Sequence, residues 1–246
     1  MSSKESLTEA LITLNNVGLW YPRRKSLLKR EQNWVLRDIS FDVYRGETVG
    51  ILGRNGAGKS SLLRLLANII SPDSGAIAYR PSLSVVLLSI QAGFVLSLSG
   101  RENIYISGMT LGLSKNEIDK IFAEIVSFSE LEDAIEQPVG SYSTGMRARL
   151  GFSVAIQVDP DVLLVDEVIS VGDERFGHKA SKFIHKRVDE KKTTVVVTHN
   201  SHLVRELCTK ALWLEKGVVR YYGETDKTVS MYLANEGAPS PQAHAI

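Results

Sequence analysis

The segment GRNGAGKS, residues Gly53–Ser60, has the spacing G-x-x-x-x-G-K-S. It follows the apolar run TVGIL and precedes SSLLRLL, whose apolar residues recur with the period of a helix. Glycines at these positions let the backbone curl so that its amides face phosphate oxygens, and a helix N-terminus adds partial positive charge. The segment therefore predicts a nucleotide phosphate-binding loop, with Lys59 at the β- and γ-phosphates and Ser60 as a ligand of Mg²⁺. The predicted contacts are Gly53, Arg54, Asn55, Gly56, Ala57, Gly58, Lys59, Ser60 and Ser61.

Two further apolar runs end in polar side chains. Asp166 and Glu167 end VLLVDE, and His199 ends TTVVVTH. Ligands of open α/β sheets bind at the carboxyl edge of the strands, so we expect these residues beside the glycine-rich loop. An aspartate there can hold Mg²⁺, a glutamate can deprotonate an attacking water, and a histidine can donate to the γ-phosphate. Taken alone, each pattern is weak, because any strand can end in two acids and a lone histidine is usually a structural or surface residue.

The predicted site needs strands and helices to position it. DVLLVDE and TTVVVTH are short and continuously apolar, which is typical of central parallel strands buried on both faces. Helices are expected from Ser60 to the stop at Ser71-Pro72, between about Ser99 and Phe128, at 201–208 and at about 226–235. Two capping boxes, Ser99 with Glu102 and Ser114 with Glu117, mark helix starts in the second region. There, one apolar stripe is expected to face the core: Ile118, Ile121, Phe122, Ile125 and Val126.

Composition excludes several classes of protein. The chain is 43% hydrophobic and 23% charged, which suits a globular domain with a substantial core. Its 29 basic and 28 acidic residues argue against nucleic-acid binding through a broadly basic surface. Cys208 is the single cysteine, so an intrachain disulfide is impossible. Because no apolar run approaches the roughly 18 residues of a membrane span, a role at a membrane would require a partner.

The order of these motifs resembles the ATPase domain of ABC transporters over about residues 11–223. After the glycine-rich loop come a helical insert, a helix that opens with Ser143-Thr144-Gly145, then Asp-Glu, then His. In that family a Ser-Gly-Gly signature at a helix N-terminus grips the γ-phosphate of ATP held by the other protomer. Ser143 and Gly145 match the serine and second glycine, whereas Thr144 replaces the first glycine and Met146 the usual glutamine. An ordinary capped helix also explains this segment taken alone.

The resemblance implies three further nucleotide contacts. Asp173 matches the D-loop aspartate at the dimer seam, and Tyr21 falls where the family has an aromatic that stacks on adenine. A core or turn tyrosine is the alternative for Tyr21. Gln91 is the nearby candidate for the glutamine that senses the metal and the γ-phosphate, but it lies one residue later than the family spacing, so that role stays open. The loop at roughly 89–99 is expected to face a membrane-embedded partner.

Several segments are similar to the branch that exports bacterial O-antigen, capsule and teichoic acid (Wzt-like ATPases): YSTGMRARLGFSVA, DEVISVGDERFGHKA and GRENIYISGMTLG. This branch implies an α/β P-loop ABC ATPase fold with a RecA-like core, an antiparallel β subdomain and a helical subdomain at about 90–157, in one domain over 1–237. It also implies ATP and Mg²⁺ as ligands, a head-to-tail homodimer, a pair of polytopic membrane subunits and a lipid-linked polysaccharide as the transported substrate. The expected location is peripheral, at the cytoplasmic face of the bacterial inner membrane, with no nucleic-acid partner.

A soluble ABC ATPase acting on the ribosome or DNA is the main alternative function. Such proteins usually carry two of these domains in tandem or a long coiled coil inside the domain, and this sequence shows neither. An inactive scaffold is disfavoured because Lys59 and Glu167 are both present.

Two segments are predicted to lack regular secondary structure. Residues 22–31, PRRKSLLKRE, are predicted to form an inserted loop, and their basic residues fit either a solvated loop or a contact with the membrane partner or anionic headgroups. Residues 238–246 are predicted to be disordered. The stretch after His199 is too short for a carbohydrate-binding β-sandwich of about 100 residues, so we expect glycan recognition to reside elsewhere.

Overall fold

The computed structural model describes residues 9–24, 30–88, 93–166 and 174–236. Within these ranges it has nine strands and seven helices, which confirms the predicted α/β class. The chain divides into two compact units, Met1–Pro81 with Val195–Ile246, and Ser82–Thr194. The strands are β1 (Ala10–Arg24), β2 (Arg30–Tyr44), β3 (Thr48–Leu52), β4 (Ser74–Tyr79), β5 (Val85–Leu88), β6 (Val162–Asp166), β7 (Thr193–Val197), β8 (Lys210–Glu215) and β9 (Val218–Glu224). The helices are α1 (Lys59–Leu66), α2 (Gly100–Thr110), α3 (Lys115–Ser129), α4 (Thr144–Ala155), α5 (Glu174–Asp189), α6 (Ser201–Leu207) and α7 (Thr225–Glu236).

The first unit contains an antiparallel sheet and most of a second sheet. The antiparallel sheet has the order β2-β1-β4, and in the second sheet β7, β3, β8 and β9 follow one another. Strand β3 pairs in parallel with β8, and β8 pairs antiparallel with β9. Every residue of β3 and β7 is buried, as expected for central strands covered on both faces.

Strands β1 and β2 form a hairpin that is longer than predicted. Pro22, Arg23 and Arg24 continue β1 and pair with Gln32, Glu31 and Arg30 of β2. The five described residues of the expected loop at 22–31 are therefore strand, and the other five, residues 25–29, lie outside the described residues. Proline is tolerated because β1 pairs with β4 only as far as Gly18, so Pro22 loses no hydrogen bond on that side.

Helix α1 is shorter than predicted. It ends at Leu66, and the next residues form a turn in which Asn68 has φ of +55°. The N–H groups of Asn68 and Ile69 donate to the carbonyls of Leu65 and Arg64, which closes the last turn. Asn68, in the left-handed backbone conformation, therefore ends the helix before Ser71-Pro72.

The second unit contains the parallel pair β5 and β6 and helices α2 to α5. Both predicted capping boxes are present: Ser99 N–H donates to the Glu102 carboxylate and Ser114 N–H to that of Glu117, each at 2.8 Å. The predicted apolar stripe of α3 packs into a cluster with α2 and α4, as expected. Helix α5 has no counterpart in the sequence prediction. None of the helices within the described ranges is long and apolar enough to cross a membrane.

Candidate functional site

The glycine-rich loop joins β3 to the first turn of α1. Gly58 is the N-cap of the helix and has φ of +105°, a conformation that favours glycine. Because glycine has no side chain, the helix has no side-chain cap. The first turn of α1 also holds no acidic residue. By contrast, α2, α3, α4 and α6 are capped by Ser99, Ser114, Ser143 and Asn200. The first-turn amides of α1 are thus presented without a competing acceptor from the preceding residue, which suits an anion.

The Lys59 ammonium lies across the loop. It donates hydrogen bonds to the carbonyl oxygens of Gly53, at 2.7 Å, and Arg54, at 3.3 Å. The residue is only 8% exposed. Because the Lys59 ammonium is already held by backbone carbonyls in a buried position, its side chain needs little rearrangement to contact a phosphate.

A β-bulge in β2 supports the loop from one side. Leu36 pairs with Leu19 and Trp34 with Trp20, so Val35 is an extra residue in the strand. A Cβ atom added to Gly58 would lie 2.8 Å from Leu36 Cδ2 and 3.0 Å from the Val35 carbonyl oxygen. The bulge and the loop are therefore in close contact, and only glycine fits at residue 58.

His199 lies at the same strand edge as the loop. The N–H of Thr198, directly after β7, donates to the carbonyl of Ile51 near the end of β3. His199 is exposed, and Asn200 then caps α6 by accepting hydrogen bonds from the N–H groups of His202 and Leu203. The structure thus places the histidine and the loop at the ends of neighbouring strands, as predicted.

Tyr21 lies within β1. It pairs with Asn33 of β2 and is 39% exposed. A core role is therefore wrong for this residue, which is exposed on the strand.

In the second unit, Asp166 is the last residue of β6. The four preceding residues are buried, and Val165 pairs with Leu88 of the parallel strand β5. The aspartate is therefore held at the carboxyl edge of this strand pair. Gln91, Glu167 and Asp173 lie outside the described residues.

The signature residues open α4. Ser143 is its N-cap, and its hydroxyl oxygen accepts a hydrogen bond from the Met146 N–H at 3.1 Å. Ser143 and Thr144 are exposed. The preceding turn is anchored by Tyr142, which is 3% exposed and donates its hydroxyl to the Ala134 carbonyl at 2.6 Å. The N-terminus of α4 is therefore exposed, while the turn that precedes it is anchored by a buried side chain.

A carboxylate that sequence reasoning missed connects α4 to its neighbours. Glu130, which ends α3 with φ of +55°, forms ion pairs with Arg149 of α4 and with Arg175 and Lys179 of α5. The hydrogen bond from Lys179 lowers the pKa of Glu130, and the two arginines act in the same direction. No local pattern marks this residue, because its partners belong to separate helices.

The buried Asn103 also escaped prediction. Its amide accepts from the N–H of Val95 and donates to the carbonyls of Val95, Leu98 and Ser99. The turn before α4 contacts the same loop, since Gly140 N–H donates to the Leu96 carbonyl at 2.8 Å. Residues 95–99 are thus fixed to both α2 and the turn before the signature.

The strand, glycine-rich loop and helix, with a buried lysine across the loop, define the P-loop class of nucleotide-binding domains. Within that class the chain belongs to the ABC transporter family, whose match covers residues 36–170. The predicted membership of this family is confirmed.

Curated relatives are about 40% identical to the chain over the aligned residues. The teichoic acids export ATP-binding protein TagH of Bacillus cereus is 40% identical over 85% of the chain. The O-antigen export system ATP-binding protein RfbB of Klebsiella pneumoniae is 39% identical over 87% of the chain and 87% of its own length. The chain spans only 39% of the Bacillus cereus protein, so that match concerns one part of a longer protein.

Solved structures show the same fold. The dimeric post-hydrolysis state of the ATP-binding cassette MJ0796, bound to ADP and Pi, superposes with a TM-score of 0.73 at 22% identity. The match covers 87% of this chain and 98% of the other. The fold is that of ABC ATPase cassettes, as predicted.

Proposed function

We propose that this chain binds ATP with Mg²⁺ and hydrolyses it as the ATPase subunit of an ABC transporter that exports a bacterial cell-surface polysaccharide. The supporting observation is the first turn of α1, where Gly58 leaves the helix amides without a side-chain cap and Lys59 is held beside them. Helix amides that lack partners within the helix are satisfied by an anion, and the buried ammonium adds a full positive charge.

The donor atoms fit Mg²⁺. The Ser60 hydroxyl and the Asp166 carboxylate are oxygen ligands, which this cation prefers. No group of three or more histidine, cysteine, aspartate or glutamate side chains within the described ranges could form a metal site. Mg²⁺ usually retains several waters and takes phosphate oxygens as ligands beside one or two protein oxygens. When bound, the ion would neutralise part of the phosphate charge.

The hydrolytic step is assigned to two side chains. Glu167 acts as the general base by accepting a proton from the attacking water through its carboxylate. His199 donates a hydrogen bond to the γ-phosphate, which stabilises the charge that develops there. Its exposed position after β7, at the same strand edge as the loop, agrees with this role.

The signature residues would complete the site of a second copy of the chain. Ser143 accepts from Met146 through its oxygen, so its hydroxyl hydrogen can be donated to a phosphate oxygen at the same time. Thr144 and Gly145 contribute backbone amides of the first turn of α4. Asp173 would lie at the seam between the two copies, and Gln91 would sense the metal and the γ-phosphate.

Tyr21 is assigned to the adenine. The residue is 39% exposed on β1, and base stacking on an aromatic ring requires an accessible face.

The export role is supported by relatives named as teichoic acid and O-antigen export proteins. It implies a pair of membrane subunits, a lipid-linked polysaccharide as substrate, and a peripheral location at the cytoplasmic face of the inner membrane. The contact with those subunits would involve the loop at 89–99.

Two experiments test this function at separate levels. The purified chain is titrated with ATP in the presence of Mg²⁺, and phosphate release is measured alone and after co-purification with the membrane subunits. Absence of ATP binding would refute the nucleotide role. For the export role, the gene is deleted and replaced with the parent or with Glu167→Gln, and surface polysaccharide is quantified. Normal surface polysaccharide in the deletion strain would refute the export assignment while leaving the ATPase assignment intact.

A further inference from the structure

The turn between β8 and β9 contacts the glycine-rich loop directly. Gly217 donates its N–H to the Ala57 carbonyl of the loop at 3.1 Å, and its own carbonyl accepts from the Arg37 N–H of β2 at 2.8 Å. Both backbone groups of one glycine therefore connect the loop to β2.

The turn itself admits only glycine at this position. Lys216 and Gly217 have φ of +49° and +79°, the positive values that a two-residue hairpin turn of type I′ requires. A Cβ atom on Gly217 would lie 2.2 Å from the Val35 carbonyl oxygen, the same atom that approaches Gly58. The bulge carbonyl thus lies between the turn and the loop and leaves no room for a side chain on either.

The contact fixes the direction of a loop amide. The carbonyl of residue 57 and the N–H of residue 58 belong to one planar trans peptide and point in opposite directions. Because Gly217 holds the Ala57 carbonyl, it also sets where the Gly58 N–H points, at the position that opens α1.

We infer that the Lys216–Gly217 turn positions the phosphate-binding loop, with Gly217 acting through Ala57 on the amides that receive the nucleotide phosphates. The inference rests on the nucleotide function proposed above and adds a positioning residue that lies far from the loop in the sequence. Displacing the turn should misalign the loop amides and weaken nucleotide binding, while Glu167 and His199 are not altered.

The test compares two glycine-to-alanine variants. Gly217→Ala introduces both the strained φ and the collision with Val35. Gly112→Ala is the matched control, because Gly112 has φ of +96° but no atom lies within 4 Å of an added Cβ. Both are expected to lower the unfolding temperature. Only Gly217→Ala should weaken binding of a fluorescent ATP analogue with Mg²⁺, by about tenfold, a loss of about 1.4 kcal/mol. Its KM for ATP should rise similarly, with kcat within about threefold of the parent.

A second variant keeps the test valid if Gly217→Ala does not fold. Insertion of one glycine between Lys216 and Gly217 lengthens the turn and shifts its hydrogen bonds without adding a Cβ, and it should weaken binding to a similar extent. If the parent binds the analogue but the folded turn variants bind within twofold of it, the positioning role is refuted. An equal loss in Gly112→Ala would refute it too, because backbone strain would then suffice. If the parent does not bind, the proposed nucleotide function fails instead.

Discussion

Replacing Lys59 with methionine separates a phosphate-binding lysine from a structural one. The side chain keeps a similar length but loses its charge and its hydrogen bonds to the Gly53 and Arg54 carbonyls. Hydrogen bonds to a charged group contribute about 1.5–3 kcal/mol, but burying the charge of Lys59, a residue that is only 8% exposed, carries an opposing desolvation cost. These two effects offset each other in the absence of nucleotide. We therefore expect the free energy of unfolding to change by about 1 kcal/mol or less.

Nucleotide binding should respond much more strongly to Lys59→Met. Loss of one charge-assisted contact to a phosphate, about 1.5–3 kcal/mol, raises the Kd roughly 10- to 150-fold. At an ATP concentration of about 100 times the parent Kd, bound ligand stabilises the parent by about 2.7 kcal/mol. If the Kd rises about 10-fold, the same ATP concentration should stabilise the variant by about 1.4 kcal/mol. If the Kd rises about 150-fold, the stabilisation should be about 0.3 kcal/mol.

The assay is thermal and chemical unfolding with and without ATP and Mg²⁺, together with a direct titration. Lys227→Met, which changes an exposed lysine of α7, is the control and should bind as the parent does. A Lys59→Met variant that binds within twofold of the parent would refute the phosphate contact. If its stability without nucleotide also fell by more than about 2 kcal/mol, the lysine would be a structural bridge across the loop.

Three further predictions concern residues of the site and its support. Glu167→Gln should lower turnover by roughly 10²- to 10⁴-fold while ATP still binds and the dimer becomes easier to detect by sizing; turnover within twofold of the parent would contradict the general base. Tyr21→Ala should weaken ATP binding by about tenfold, on the scale of about 1–3 kcal/mol for base stacking, and Tyr21→Trp should largely retain it; equal binding by the two variants would make Tyr21 structural. The hydrogen bond from Lys179 lowers the pKa of Glu130 below its ordinary value, so the stabilisation from its ion pairs is present above the unfolded-state pKa and is lost as the pH falls through the folded-state pKa. The unfolding temperature of the parent should therefore exceed that of Glu130→Gln near pH 7, and the two should converge at lower pH. A difference that stays constant across this range would show that protonation of Glu130 does not affect stability.

The local features of this protein follow from its sequence. Gly58 and Lys59 are adjacent to the strand and helix that they join, so their pattern predicts the loop without knowledge of the rest of the chain. The same holds for the capping boxes at Ser99 and Ser114, whose partners lie three residues away. Strands β3 and β7 are also recognisable, because burial on both faces favours apolar and β-branched residues along the whole strand, here including the buried Thr48, Thr193 and Thr194.

Other features were decided only by tertiary structure. The β1–β2 hairpin extends through Pro22 because cross-strand pairing outweighs the local preference for a loop. The Val35 bulge, the contact of Gly217 with Ala57 and the convergence of three cations on Glu130 all join residues from separate elements. Local propensity acts over a few residues, whereas these contacts exist only after packing has brought distant segments together. The sequence therefore indicates which residues would meet a nucleotide, and the folded backbone determines what holds them in place.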